Sequence, residues 1–316
     1  MGLFRRDPKR DGRDAPRDPE FAFFSADEGT RFRAGVREAF AERGLEVTVY
    51  ADVVADSAGR QFGLANLAAV CHNDDRGPRA WPELVHQHVG MVLRTMDAPS
   101  ALDTLPTEQI RAQLYPRVVG DGFNPANFAY ARSLAPGLYE IIALDLPESV
   151  MMLTDEALEP LGDLQYLRDQ ALYNLRGLPV EAHESVKDAD GTLFEVVLGD
   201  SFYTASRVLA LESVVRQVTG EQLPADGALV AMPFRHQLAF HAIHDTGVIP
   251  ALNAMASFAA SGYEDTPGAI SPYVYWWRDG TLTQLSDHEE DGEGLRIVVG
   301  EEFQELLERL VEDDEN

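Results

Sequence analysis

Apolar residues along the chain switch between a period of two and a period near 3.6, which lays out a run of short strands and helices. Arg31 to Arg43 carries helical spacing and ends at Gly44. Leu45 to Tyr50 reads as a strand, with Val47 and Val49 in the alternation, and Arg60 to Leu64 as a second. Beyond the loop Asp74-Asp75-Arg76-Gly77-Pro78, a helix from about Pro82 to Thr95 turns Leu84, Val85, Val89, Val92 and Leu93 inward. These form a strand-strand-helix unit.

The unit recurs in topology, without a sequence repeat. Tyr115 to Val119, Leu138 to Leu146 and Val150 to Leu153 read as strands, and Leu164 to Arg176 as a helix closed by Gly177. Val180 to Ser185 and Thr192 to Leu198 form a hairpin around Asp190-Gly191, a turn dipeptide. Ala228 to Met232 pairs with Gln237 to Ile243, ahead of a helix from about Val248 to Ala260. Tyr273 to Trp277 pairs with Thr281 to Leu285 around Asp279-Gly280. A short strand, Leu295 to Val299, and an acidic helix, Glu301 to Val311, end the pattern. Hairpin-joined strands give largely antiparallel sheet, so the fold class is α+β. The expected division is a tail over 1–19, a strand-strand-helix subdomain over 20–100, a main α+β core over 101–286, and an acidic C-terminal segment over 287–316.

One helix contains an anomaly. Ser201 to Thr219, closed by Gly220, places Tyr203, Val208, Ala210, Leu211, Val214, Val215 and Val218 on one apolar arc, and Arg207 falls inside it. Breaking up a buried ion pair costs about 3–5 kcal/mol, so Arg207 needs a carboxylate or a ligand. Ser206 falls on the polar side with Ser213 and Gln217.

Composition narrows the field. The net charge is −27 over 316 residues, which repels nucleic acid and anionic lipid. No apolar run reaches the ~18 residues of a membrane span, and the charged N-terminus does not read as a signal peptide. Residues 1–19 alternate Arg, Asp and Pro and are expected to be disordered. The single cysteine, Cys71, excludes an internal disulfide and a cysteine-built zinc site, and reads as packing. No cofactor motif, Gly-x-Ser-x-Gly or Walker-type loop is present.

Four segments carry a family resemblance: Ala143-Leu-Asp-Leu146, Asn174-Leu-Arg-Gly-Leu-Pro179, Ala205-Ser-Arg-Val-Leu209 with Asp200 before it, and Ala228-Leu-Val-Ala-Met-Pro233. In this order and spacing they resemble the YtpQ-like family of bacterial proteins, a domain of unknown function, over roughly residues 30–285. The resemblance implies a cytoplasmic bacterial protein with an α+β core, and no mechanism.

The same segments supply the candidate polar residues. Asp145 shares the parity of Tyr139, Ile141 and Ala143 and can point inward. Asn174 borders the apolar arc of its helix. Arg176 lies in a last turn, where the helix dipole favours a cation. Asp200 or Ser201 can cap the Arg207 helix. Asp145, Asn174, Arg176, Asp200 and Arg207 form either an anion pocket or a buried ion-pair network. Tyr273, Tyr275 and Trp277 share one strand face, which is either core or a contact surface. His236 and His241 are separated by an odd number, so on a strand they face opposite ways; a metal at His241, His244 and Asp245 is a minor alternative, and no metal site is assigned.

The leading functional expectation is a non-catalytic module acting through a protein partner, with no nucleic acid and no membrane. The alternatives are an enzyme or small-molecule binder for an anion, through Arg176 and Arg207 with Asp145 and Asn174, and an acidic chaperone-like module for a basic client. The last requires an exposed apolar sheet face.

Overall fold

The computed structural model describes residues 16–56, 61–97, 101–120, 123–147, 149–187, 192–264, 266–288 and 295–314. The chain divides into two compact units, Met1–Ala98 and Pro99–Asn316. The fold class is α+β, and every strand pairing described is antiparallel. No described helix is long and apolar enough to cross a membrane.

The first unit opens with α1 (Ala26–Ala41), which starts at a capping box. The Ser25 hydroxyl accepts from the Glu28 amide at 3.3 Å, and the Glu28 carboxylate accepts from the Ser25 amide at 2.9 Å. A three-stranded antiparallel meander follows: β1 (Val47–Val49), β2 (Val53–Asp56) and β3 (Gln61–Gly63). Then come α2 (Ala65–Asn73) and α3 (Trp81–Asp97). The core is aromatic, with Phe24 packed 4.8 Å from Trp81 and edge-on to Phe21. Neither β2 nor α2 is legible in the sequence. The β2 run is four residues, and the buried positions Leu67, Ala68, Ala69 and Cys71 leave α2 little polar contrast. Burial pushes the Cys71 thiol up to about 12.

The expected tail lies outside the described residues up to residue 15. Residues 16–19 are folded: Asp18 is buried, accepts from the Glu20 and Phe21 amides, and forms a two-pronged ion pair with Arg33 at 2.6 and 2.9 Å. Gly29 makes room for it, since a Cβ there would lie 1.9 Å from Asp18 Oδ2.

The second unit runs α4 (Ala101–Thr104), α5 (Thr107–Ala112), β4 (Leu114–Val119), β5 (Arg132–Ala135), β6 (Leu138–Leu146), β7 (Ser149–Met152), α6 (Asp155–Leu158) and α7 (Leu164–Gly177). Strand β6 pairs with β4 along one edge, and with β5 and then β7 along the other. Next come β8 (Ala182–Lys187), β9 (Thr192–Leu198), a 3-10 turn over Ala205–Ala210, α8 (Leu211–Thr219), β10 (Ala228–Ala231), β11 (Gln237–Ala242) and α9 (Val248–Glu264). The chain closes with β12 (Val274–Arg278), β13 (Thr281–Gln284), β14 (Ser286–His288), β15 (Leu295–Ile297) and α10 (Glu301–Asp314).

A six-stranded sheet, in the order β13-β12-β10-β11-β9-β8, carries two cores. On one face Val230, Phe240, Tyr275 and Trp277 meet Val208, Leu211 and Val214. On the other, Leu229, Val274 and Trp276 meet α9 and the α10 stripe of Phe303, Leu306 and Leu310. That stripe packs α10 onto the sheet. The Asp190-Gly191 turn lies outside the described residues; β8 and β9 pair as expected. Asp279 and Gly280 both take positive φ (50° and 79°), as a two-residue turn of the primed type requires.

Candidate functional site

Arg207 is buried, at 4% exposure, as its place on the apolar arc demands. Its winding differs from expectation: Ala205–Ala210 is a 3-10 turn and the α-helix begins at Leu211. Its partners differ too. Nη1 donates to the Pro179 carbonyl at 2.5 Å and Nη2 to Gln217 Oε1 at 3.3 Å, and no ion pair to a described carboxylate is formed. Burial pushes the guanidinium down, and the nearby Glu181 charge opposes this. Nε is sealed without a partner. The cavity beside it, between Pro179, Glu181, Ser201 and Thr204, measures about 20 Å³, room for one water rather than a metabolite. Arg207 is a clasp between the segment after α7 and the turn before α8.

The other four polar candidates do not join it. No hydrogen bond or ion pair links any two of the five. Asn174 Nδ2 donates to the carbonyls of Arg111 (3.0 Å) and Leu114 (2.8 Å), tying α7 to the junction of α5 and β4. Arg176 stands exposed in the last turn of α7. Asp200 is exposed and caps nothing with its side chain; its amide donates to Glu181 Oε2 at 2.8 Å, while Ser201 Oγ accepts from the Tyr203 amide at 3.2 Å. Asp145 lies near the Tyr203 hydroxyl, and burial raises its carboxyl. The anion pocket expected from these five is therefore not assembled.

The aromatic strand is core on both faces. Tyr275 (1% exposed) and Trp277 (8%) are buried, Tyr273 packs against the same cluster, and Trp276 meets Phe303 at 5.1 Å on the opposite face. Tyr273, Tyr275 and Trp277 thus present no contact surface.

The structure gathers a different set, which the sequence reading passed over. Strand β4 is an edge strand, and its outward backbone positions are Pro116, which has no N–H, and Val118, whose amide donates to the buried Ser206 hydroxyl at 2.9 Å. Ser206 is therefore not solvated. Next to it, the Ala205 amide donates to the Arg235 carbonyl at 3.1 Å. The Arg235 amide donates to Gly268 O at 3.0 Å, and Ile270 N to Pro233 O at 2.8 Å. The end of β4 closes the ring: a Cβ on Gly120 would lie 1.6 Å from Ile270 O. Segments 115–120, 202–206, 233–236 and 268–270 thus converge.

Arg117 and Arg235 lie close enough there for their charges to interact. Arg117 shares the β4 face of Tyr115, which stacks on Tyr203 at 4.6 Å. Burial pushes both guanidinium groups down, and the Arg117 charge pushes Arg235 further. Arg235 lies over the Phe202 ring at 4.6 Å and donates Nε–H to His236 Nε2 at 2.9 Å. Neither arginine forms an ion pair with a described carboxylate, and the Arg117 side chain makes no hydrogen bond among the described residues. Neither contributes a sealed, unpartnered nitrogen, so the free nitrogens reach solvent. The Tyr203 hydroxyl alongside is sealed and lacks a hydrogen bond of good geometry, and burial raises it strongly. Two guanidinium groups, an inward phenol and an imidazole are thus gathered in one cluster. An arginine inside the apolar strand Leu114-Tyr-Pro-Arg-Val-Val119 is the one signal that could have marked it.

His236 sits in the turn before β11, and His241 on the strand, where Nδ1 approaches the Leu193 carbonyl at 2.6 Å. His241, His244 and Asp245 line a separate cleft of about 500 Å³ that also holds Glu195 and Glu221. No group of described residues has three ligands placed to hold a metal. The chain matches no protein-family model, and no curated protein or solved structure matches it.

Proposed function

We propose that the second unit is a binding module for a small anion, a carboxylate or phosphate, held by Arg117 and Arg235. What carries the reading is two part-buried guanidinium groups near one another with free donors and no carboxylate partner among the described residues. Like charges brought together in low dielectric repel, and an anion bridging both cancels the repulsion through charge-assisted hydrogen bonds. The overall charge of −27 sharpens the point, since unpaired arginines are costly to keep on a chain with so many acids available.

Action through a protein partner keeps only the acidic surface in its favour, because the aromatic strand is buried. The chaperone-like alternative needs an exposed apolar sheet face, whereas both faces of the six-stranded sheet carry a core. Kinship with the YtpQ-like bacterial proteins, and the cytoplasmic setting it implies, belong to the proposal and rest on the four short segments.

Thermal unfolding against sulfate, phosphate and small mono- and dicarboxylates tests the reading. At 100 times its Kd a bound anion adds about 2.7 kcal/mol, a rise of several degrees at roughly 2–4 °C per kcal/mol. The rise should shrink in Arg117→Gln and in Arg235→Gln, vanish in the double variant, and persist in Arg176→Gln. A wild-type midpoint that no anion moves would overturn it.

A further inference from the structure

We infer that the anion is taken up together with a proton, which His236 carries; the inference rests on the anion site proposed above. The tautomer of His236 is fixed by its neighbours. Nδ1 faces two acceptors, the carbonyls of Gly199 and Ser201, each at 3.1 Å, so Nδ1 bears the hydrogen. Nε2 accepts from Arg235 Nε–H at 2.9 Å, so Nε2 is bare and the ring is neutral.

Adding a proton to Nε2 sets two donors against each other across that 2.9 Å contact. The two groups must separate, and an oxygen of the anion placed between them accepts from both. Protonation thereby turns a site of two cations into one of three. The bond that forms is Nε2–H, its proton comes from solvent, and no other bond changes.

The groups facing the ring are few. Arg235, on the same turn, opposes the imidazolium, and burial opposes it more strongly. Asp200, from the segment after β9, favours it. The Phe202 ring lies 5.4 Å away. Arg117, from β4, acts on Arg235 and not on the ring. Without the anion, His236 titrates below the ordinary imidazole range. A bound anion cancels the opposing charge and raises it. Anion affinity therefore increases as pH falls through the interval between the two, with up to a tenfold gain per pH unit for one linked proton.

Sulfate is the suitable probe, because its own charge stays constant between pH 5 and pH 8. Calorimetric titration of the full chain should give a Kd that falls with pH over part of that range. His236→Gln should bind sulfate with a flat profile, and Asp145→Asn, which removes the burial-raised carboxyl near Tyr203, should keep the slope. Should His236→Gln fail to fold, the wild type measured in two buffers of different ionisation enthalpy reports the proton directly, and uptake of up to one proton per sulfate is expected. Sulfate binding with a flat pH profile and no proton uptake would overturn the coupling and leave the anion site standing. Absence of sulfate binding at every pH would overturn both.

Discussion

The Ser206 hydroxyl accepts the Val118 amide at 2.9 Å in the interior, and this bond fixes the outer edge of β4 against the turn that carries Tyr203 and Arg207. Arg117 is one residue away on that strand. Ser206→Ala leaves a buried N–H unpaired, at about 1–3 kcal/mol. Urea denaturation should show that loss. Sulfate affinity should also drop, because the Arg117 backbone loses its lateral restraint. Unchanged stability would mean that the edge amide finds another acceptor.

Arg207 is expected to matter for stability and not for ligand binding. Arg207→Ala removes two hydrogen bonds and opens a void, roughly 2–4 kcal/mol. Arg207→Met keeps most of the volume and should lose about 1–2 kcal/mol. Denaturation curves check the order, and sulfate titration of both folded variants should match the wild type. A stable Arg207→Met that no longer binds sulfate would return Arg207 to the site.

Asp18 gives the first unit an acid-sensitive clasp. The Arg33 guanidinium, with the Phe21 and Glu20 amides, holds its carboxyl at about 2, against an ordinary value of about 3.9. A lowered folded value means stability that is complete above about pH 4 and is lost as pH falls towards 2. Asp18→Asn should therefore be less stable than wild type at pH 7, by about 1–3 kcal/mol, with the gap closing near pH 2. A gap that persists at pH 2 would show that the loss is not electrostatic.

Local pattern carried much of this fold, and distance in sequence hid the site. Leu138–Leu146 is a mostly apolar run of strand length and forms β6 with those ends. Asp279-Gly280 marks its hairpin because only that turn chemistry tolerates two positive φ values in succession. Arg207 was legible as buried because one charge breaks a long apolar arc. Its partner was not, since a backbone carbonyl from Pro179 has no sequence signature.

Ser206 points inward for a geometric reason. At 3.6 residues per turn it falls beside Ser213, on the solvent side. The stretch Ala205–Ala210 winds as a 3-10 turn, at three residues per turn, and Ala210 breaks the phase with φ −130° and ψ 36° before α8 begins. Extending one helical phase across 201–219 thus turned Ser206 outward. The trio of buried Glu140 with Arg132 and Arg168 has no local sequence signature either, because it spans β5, β6 and α7. Arg117 and Arg235 lie 118 positions apart, and only the convergence of four segments brings them together.

The most direct measurement is calorimetric titration of sulfate into wild type, Arg117→Gln, Arg235→Gln and the double variant. Each single change removes charge-assisted hydrogen bonds worth about 1.5–3 kcal/mol, so each should raise the Kd roughly 10- to 150-fold. The double variant should bind no sulfate. Four proteins with the same Kd would contradict the claim that these two arginines form the site.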